Sequence, residues 1–312
     1  MRFLFWLGNH SKLGQTSLED VIGIIGHQLR ALGHEVIYDD RNNTFLGSEN
    51  GINVIVEGFT PGEGGSIPAL KKGHEMGARF IIVATEEPTP KGFNHGLDRE
   101  MVKRQEWFPD AAKYSEGILY LVPGEYTHNW FNQHAPSAHI ELGYATTLIR
   151  GQDWVEPTFD FGFFGSLTRR RLKILKNLAR HIGTERAVRV EASFPTQALR
   201  DKAVRQARVI VQLRKVDAMG LVSSSRCNTT LCLGRPIIAE PHELSYPWNQ
   251  VIKFSNSMES FYNDCLMARM AWKGLHAKQM ENFRTIMTPE ACLGRALKEI
   301  KLDLTTGMRK IA

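Results

Sequence analysis

The sequence predicts an α/β protein of two domains, each a parallel sheet covered by helices, with further helices closing the C-terminus. Three observations carry that expectation. Short apolar runs alternate with amphipathic stretches along the chain, the pattern of strands joined by helical crossovers. The alternation lapses once, over the polar stretch Arg150–Thr158, and then restarts, which sets domains at 1–150 and 151–312. A chain of 312 residues is too long for one small core and long enough for two α/β domains. Two such domains place a cleft between the C-terminal edges of two sheets, where open α/β sheets bind ligands.

Each element has its own signal. Arg2–Gly8 (RFLFWLG) reads as a buried first strand. Ser17–Gly33 reads as a helix: Ser17 caps it, Glu19 and Asp20 lie in the first turn, and Val21, Ile24, Ile25, Leu29 and Leu32 form an apolar stripe that Gly33 ends. Strands follow at Glu35–Tyr38 and Ile52–Gly58, then helix Ser66–Gly77 and strand Arg79–Ala84. Helix Arg99–Lys113 and strands Ile118–Val122 and Ala138–Leu142 complete the first half. The second half gives strands Phe161–Phe164, Ala187–Val190, Val209–Leu213, Pro236–Ala239 and Val251–Phe254. Between and after them lie helices Thr168–Ile182, Pro195–Ala207, Arg226–Leu233, Met258–Arg284 and Pro289–Lys301.

Composition narrows the class. Hydrophobic residues make up 42% and charged residues 23%, the balance of a soluble globular protein. No apolar run approaches a membrane span, and MRFLFWLGNHSKLG lacks the features of a secretory signal. Cys227, Cys232, Cys265 and Cys292 form neither a disulfide framework nor a zinc spacing, so a cytoplasmic protein with reduced thiols and no metal is expected. The net charge is +6, but residues 159–215 hold fourteen Lys and Arg against four Asp and Glu, a balance of +10 that leaves −4 elsewhere. Such a local field suits a phosphate-bearing ligand. Lys173, Lys176, Arg180, Arg200 and Lys202 read as solvated helix faces, whereas Arg169, Arg170 and Arg214 sit at strand ends.

Two strand–turn–helix junctions carry the chemistry. Phe164-Gly165-Ser166-Leu167-Thr168-Arg169-Arg170 leads a strand through a small-residue turn into a basic helix. Ser223-Ser224-Ser225-Arg226 opens a second helix with three hydroxyls and a guanidinium. Both layouts present backbone N–H groups and a helix N-terminus to phosphate, so a diphosphate held between them is expected. Arg214 and Lys215 follow the strand between these junctions, and Glu191-Ala192-Ser193 ends another. In the first half, Glu57 at a strand end is a candidate general base. Glu63, Glu86 and Glu87 are weaker ones. His128, Trp130, Phe131 and His134 form an aromatic patch suited to stacking on a sugar or base, or to packing.

These motifs, in this order, resemble the donor-binding domain of GT-B glycosyltransferases, closest to small bacterial, phage and spore-maturation-type members. The resemblance rests on the Phe164–Arg170 turn and on Ser225-Arg226 through Leu231, Gly234, Pro236, Ile237, Ile238 and Glu240. It covers the second half; the first half matches only as a Rossmann-like domain. It implies two Rossmann-like domains facing a cleft, and transfer of a sugar from a nucleotide diphosphate sugar, UDP-linked, to an acceptor hydroxyl, without a metal or other cofactor. The implied donor residues are Gly165, Ser166, Arg169, Arg170, Arg214, Ser223, Ser224, Ser225 and Arg226, with Asn228 or Thr229 at the ribose. The loop after the first strand makes His10 a rival base to Glu57. The acceptor it implies is a modified DNA base, as in phage members, or a protein, a glycan or a small molecule. One departure stands out: Thr229 and Leu221 occupy positions where retaining members often carry Glu. That leaves a non-catalytic nucleotide-sugar-binding protein, or an epimerase on the same fold, as alternatives.

Overall fold

A computed structural model of the chain describes residues 1–7, 12–39, 44–57, 59–96, 99–149, 155–183, 187–215, 217, 222–241, 246–302 and 304. They form two compact units, one of Met1–Leu142 with Pro289–Ala312 and one of Gly143–Thr288.

The first unit contains β1 (Arg2–Trp6), α1 (Lys12–Ala31), β2 (Glu35–Asp39), β3 (Ile52–Val56), α2 (Ser66–Glu75), β4 (Phe80–Ala84), α3 (Arg99–Ala112), β5 (Gly117–Tyr120), α4 (Glu125–Asn132) and β6 (Ser137–His139). The sheet order is β2-β1-β3-β4-β5-β6, and every pairing is parallel. β3 (INVIV) and β4 (FIIVA) are buried at every position, as parallel strands covered on both faces must be. α1 begins at Lys12, so the expected cap Ser17 falls inside it. The apolar stripe that locates this helix starts at Val21 and carries no signal for its first turns.

Most of the aromatic patch, His128, Trp130 and Phe131, lies on helix α4. Phe131 is fully buried, Trp130 packs edge-on against Phe93 and Phe131, and His128 Nδ1 lies 2.9 Å from the Tyr120 hydroxyl. Its rings therefore build the core of this unit.

The second unit contains β7 (Phe159–Phe164), α5 (Arg169–Ile182), β8 (Val188–Glu191), α6 (Gln197–Arg205), β9 (Ala207–Gln212), α7 (Ser224–Cys232), β10 (Ile237–Ala239), α8 (Trp248–Val251), β11 (Lys253–Phe254) and the long α9 (Met258–Ile286). Its sheet is also wholly parallel, in the order β11-β10-β9-β7-β8. Phe161, Phe163, Leu178, Val209, Val211 and Phe261 form its main core.

The observed division differs from the expected 1–150 and 151–312. The second unit begins at Gly143, whose carbonyl accepts from Asn228 Nδ2 at 2.7 Å, while the Tyr144 N–H donates to the Met287 carbonyl at 2.7 Å. The closing segment, a π-helical turn at Glu290–Gly294 and α10 (Arg295–Glu299), belongs to the first unit. There the Ile300 side chain lies 2.7 Å from where a Cβ on Gly117 would stand, so a larger residue at 117 would push Ile300 aside. The Glu141 N–H also donates to the Cys292 carbonyl.

Candidate functional site

In the second unit the chain direction across the sheet reverses at β7, which has β8 on one side and β9 on the other. The C-terminal ends of β7 and β9 thus flank a topological switch point, the place where open α/β sheets take their ligands. The β7 end continues into Gly165 and Ser166 and then α5. The β9 end continues into Leu213, Arg214 and Lys215.

Arg171 joins these two loops. Its guanidinium donates to the Ser166 carbonyl (2.7 Å) and hydroxyl (3.1 Å), to the Arg214 carbonyl (3.0 Å) and to the Leu213 carbonyl (2.8 Å). The Thr168 hydroxyl accepts from the Arg171 N–H to cap α5, and lies 3.0 Å from the Lys215 carbonyl, to which it donates. The donor motif of the sequence ends at Arg170 and leaves Arg171 out. The signal was present, because Arg171 precedes Ile174, Leu175 and Leu178 at helical spacing and so lies on the buried stripe of α5.

Arg226 lies in the first turn of α7. Nη1 donates to Gln212 Oε1 at 2.7 Å, and the guanidinium lies 5.3 Å from the centre of the Phe163 ring. Arg171 lies against the same ring at 5.1 Å. Among the described residues no carboxylate pairs with Arg226. Burial pushes its pKa down. Burial, and next the Arg226 charge, push Arg171 down to about 10. Two cations share one aromatic ring here, and the nearby Glu240 carboxylate offsets the Arg171 charge only in part. The backbone beside them adds to this: Ser223 N-caps α7 without a side-chain hydrogen bond, so the positive end of the helix dipole faces the same place. Gly165 keeps the approach open. Its φ is +149°, and a Cβ there would lie 2.5 Å from Arg226 Nη2.

The other expected donor residues divide. Arg170 forms a two-pronged ion pair with the buried Glu240, with Nη1 2.9 Å from Oε1, and also pairs with Asp217. The bonds to Glu240 raise its pKa most. The Arg214 N–H donates to Glu240, and its Nη1 to the Asp217 carbonyl at 3.1 Å. Arg170 and Arg214 thus shape the loop through Glu240. Ser166 and Arg169 are exposed at the mouth, and Ser223, Ser225 and Thr229 are half-buried. Ser224 accepts from Trp248 Nε1 at 3.1 Å. Asn228 is buried and holds Gly143.

In the first unit, Glu57 ends β3 beside that sheet's own switch point, with φ +49° and 2% exposure. One oxygen accepts from the Thr85 N–H, and the other from Arg104 Nη2 at 2.6 Å. Arg104 also donates to Glu86 at 2.9 Å. His10 and Leu221 lie outside the described residues.

No family model matches the sequence, and no curated protein matches it. Solved structures do. TarM aligns with 89% of this chain and 58% of its own, at 13% identity and a TM-score of 0.53. The fold is that of the GT-B glycosyltransferases. A UDP-forming α,α-trehalose-phosphate synthase from Burkholderia xenovorans aligns with 94% of this chain and 80% of its own, at 11% identity and 0.49. The glycosyltransferase SsfS6 of Streptomyces sp. SF2575, solved with thymidine diphosphate, aligns with 93% and 98% at 12% identity and 0.39. Of these three, TarM alone superposes closely enough to establish a common fold, and this chain spans 58% of its length. In this GT-B fold the switch point of the second unit holds Arg226, which has no carboxylate partner among the described residues.

Proposed function

We propose that this chain is a glycosyltransferase that holds a nucleoside diphosphate sugar, UDP-linked, at the β7–β9 switch point and passes the sugar to an acceptor hydroxyl without a metal. One observation carries the reading: the part-buried Arg226 guanidinium has no described carboxylate partner and stands in the first turn of α7, whose N-cap Ser223 makes no side-chain bond, beside Gly165. A diphosphate supplies the missing negative charge. As the acceptor oxygen attacks the anomeric carbon, the bond from that carbon to the diphosphate oxygen breaks, and the oxygen leaves with the electron pair. Arg226 and the N–H groups of α7 meet the charge that develops there, the task a metal performs elsewhere. The acceptor proton passes to a base. Glu57 spends both oxygens on Arg104 and Thr85, which favours His10 for that role.

The basic stretch 159–215 makes DNA bases the first acceptors to try, before proteins and glycans. Four buried thiols fit a reducing, cytoplasmic setting. The test is a thermal-shift titration with UDP, GDP, CDP, dTDP and ADP and their sugars, followed by mass spectrometry of products. Stabilisation by UDP and its sugars supports the reading, and no response to any nucleotide removes it. The lack of a carboxylate at Thr229 motivates a second reading, a binding protein without turnover, which retained binding with neither transfer nor hydrolysis selects.

A further inference from the structure

A second cationic feature lies outside the donor pocket. α5 reads RRRLKILKNLARHI and contains no acidic residue. Its buried face carries Arg171, Ile174, Leu175, Leu178 and Ala179. Its exposed face carries Arg169, Lys173, Lys176 and Arg180, which line a shallow groove with Leu172 and Asn177. Among the described residues none of these four cations has an ion-pair partner; Arg180 reaches only the Asn177 side chain, at 3.4 Å.

Solvated helix faces normally mix signs, because like charges three or four residues apart repel. Here four cations follow one another at spacings of four, three and four residues on one stripe, and Arg169 begins it at the positive end of the helix dipole. At about 1.5 Å per residue they form a line roughly 16 Å long, with steps of about 4.5 to 6 Å. That line matches a linear polyanion. A nucleic-acid strand offers one phosphate per about 3.4 Å of its axis. An anionic bilayer fits less well, since a helix lying on a membrane inserts its apolar face, and the apolar face of α5 is buried in the core of its own unit.

We propose that the exposed face of α5 docks the phosphate backbone of a nucleic acid, independently of base sequence. This surface meets the mouth of the donor pocket only at Arg169; Lys173, Lys176 and Arg180 lie beyond it, and the proposal stands whether or not the chain transfers a sugar.

The experiment is fluorescence anisotropy of the full chain, without nucleotide, on a labelled 20-base-pair DNA duplex of arbitrary sequence between 50 and 200 mM KCl. A plot of log affinity against log salt is expected to have a slope of about −3 to −4, from three or four phosphate contacts. The combined Lys173→Gln, Lys176→Gln and Arg180→Gln variant should weaken binding at 50 mM by more than about tenfold and flatten the slope to about −1. All three side chains are exposed, so the variant's melting temperature should match that of the parent. Lys173→Arg with Lys176→Arg should keep both affinity and slope. No DNA binding at 50 mM, an unchanged slope in the triple variant, or binding of phosphatidylserine vesicles in place of DNA overturns the proposal.

Discussion

Arg226 Nη2 occupies the space that a side chain on Gly165 would enter, 2.5 Å from where its Cβ would begin. The end of β7 and the start of α7 are therefore matched to each other. Gly165→Ala is expected to cost about 1–3 kcal/mol through the positive φ. The guanidinium is the far end of a flexible side chain, so it should move rather than unfold the unit. Urea unfolding should show the modest loss, and nucleotide titration a larger one. A Gly165→Ala protein with parental nucleotide affinity would argue against a diphosphate at this turn.

Arg226 itself should show opposite effects on stability and binding. A guanidinium with no carboxylate partner among the described residues burdens the fold, and replacing such a charge by a neutral group is often neutral or stabilising. Arg226→Met is expected to leave unfolding stability unchanged or raised. It should weaken nucleoside diphosphate binding by about 1.5–3 kcal/mol, roughly 10- to 150-fold. Loss of stability with unchanged affinity would mark Arg226 as a structural residue bonded to Gln212.

Glu57 makes the contrary case. It is 2% exposed, and Arg104, with 13% of its side chain exposed, is held by Glu57 and Glu86 together. Removing one partner of a buried pair costs about 3–5 kcal/mol. Glu57→Ala is expected to lose about that much stability in urea, and adding Arg104→Met should recover part of it. A Glu57→Ala protein of parental stability that no longer transfers sugar would restore Glu57 as the base.

The sequence revealed the architecture because parallel strands buried on both faces, such as INVIV and FIIVA, leave unbroken apolar runs. The turn at Gly165 and the cap at Ser223 were legible for a related reason: glycine and serine occur there to serve backbone geometry. Which arginine does what was not legible. Arg169, Arg170 and Arg171 are adjacent, yet one is exposed, one pairs with Glu240 and one joins two loops. Only the helical phase set by Ile174 and Leu178 separates them. Glu240 is seventy residues from Arg170, and no local pattern announces that pairing. The return of α10 to the first unit depends on Ile300 meeting Gly117, again a contact between distant segments.

His139 makes the stability of the first unit sensitive to acid. Its side chain is 22% exposed, and Nε2 lies 3.4 Å from the Glu141 carboxylate. Burial, with the Arg295 charge beside it, outweighs a backbone hydrogen bond at Leu121 and pushes the imidazole from 6.5 down to about 4. The unfolded chain therefore takes up this proton first as pH falls. Above pH 6.5 both states are neutral and the contribution is intact; between 6.5 and about 4 it is lost; below that, both states are charged and the loss stops growing. The interval corresponds to about 3 kcal/mol. Burial also lowers His134 and His276, so acid should weaken both units. Urea midpoints taken from pH 7.5 to 4 should fall steeply in the parent, and by about 3 kcal/mol less in His139→Gln. Identical pH profiles for parent and folded variant would place the acid sensitivity elsewhere.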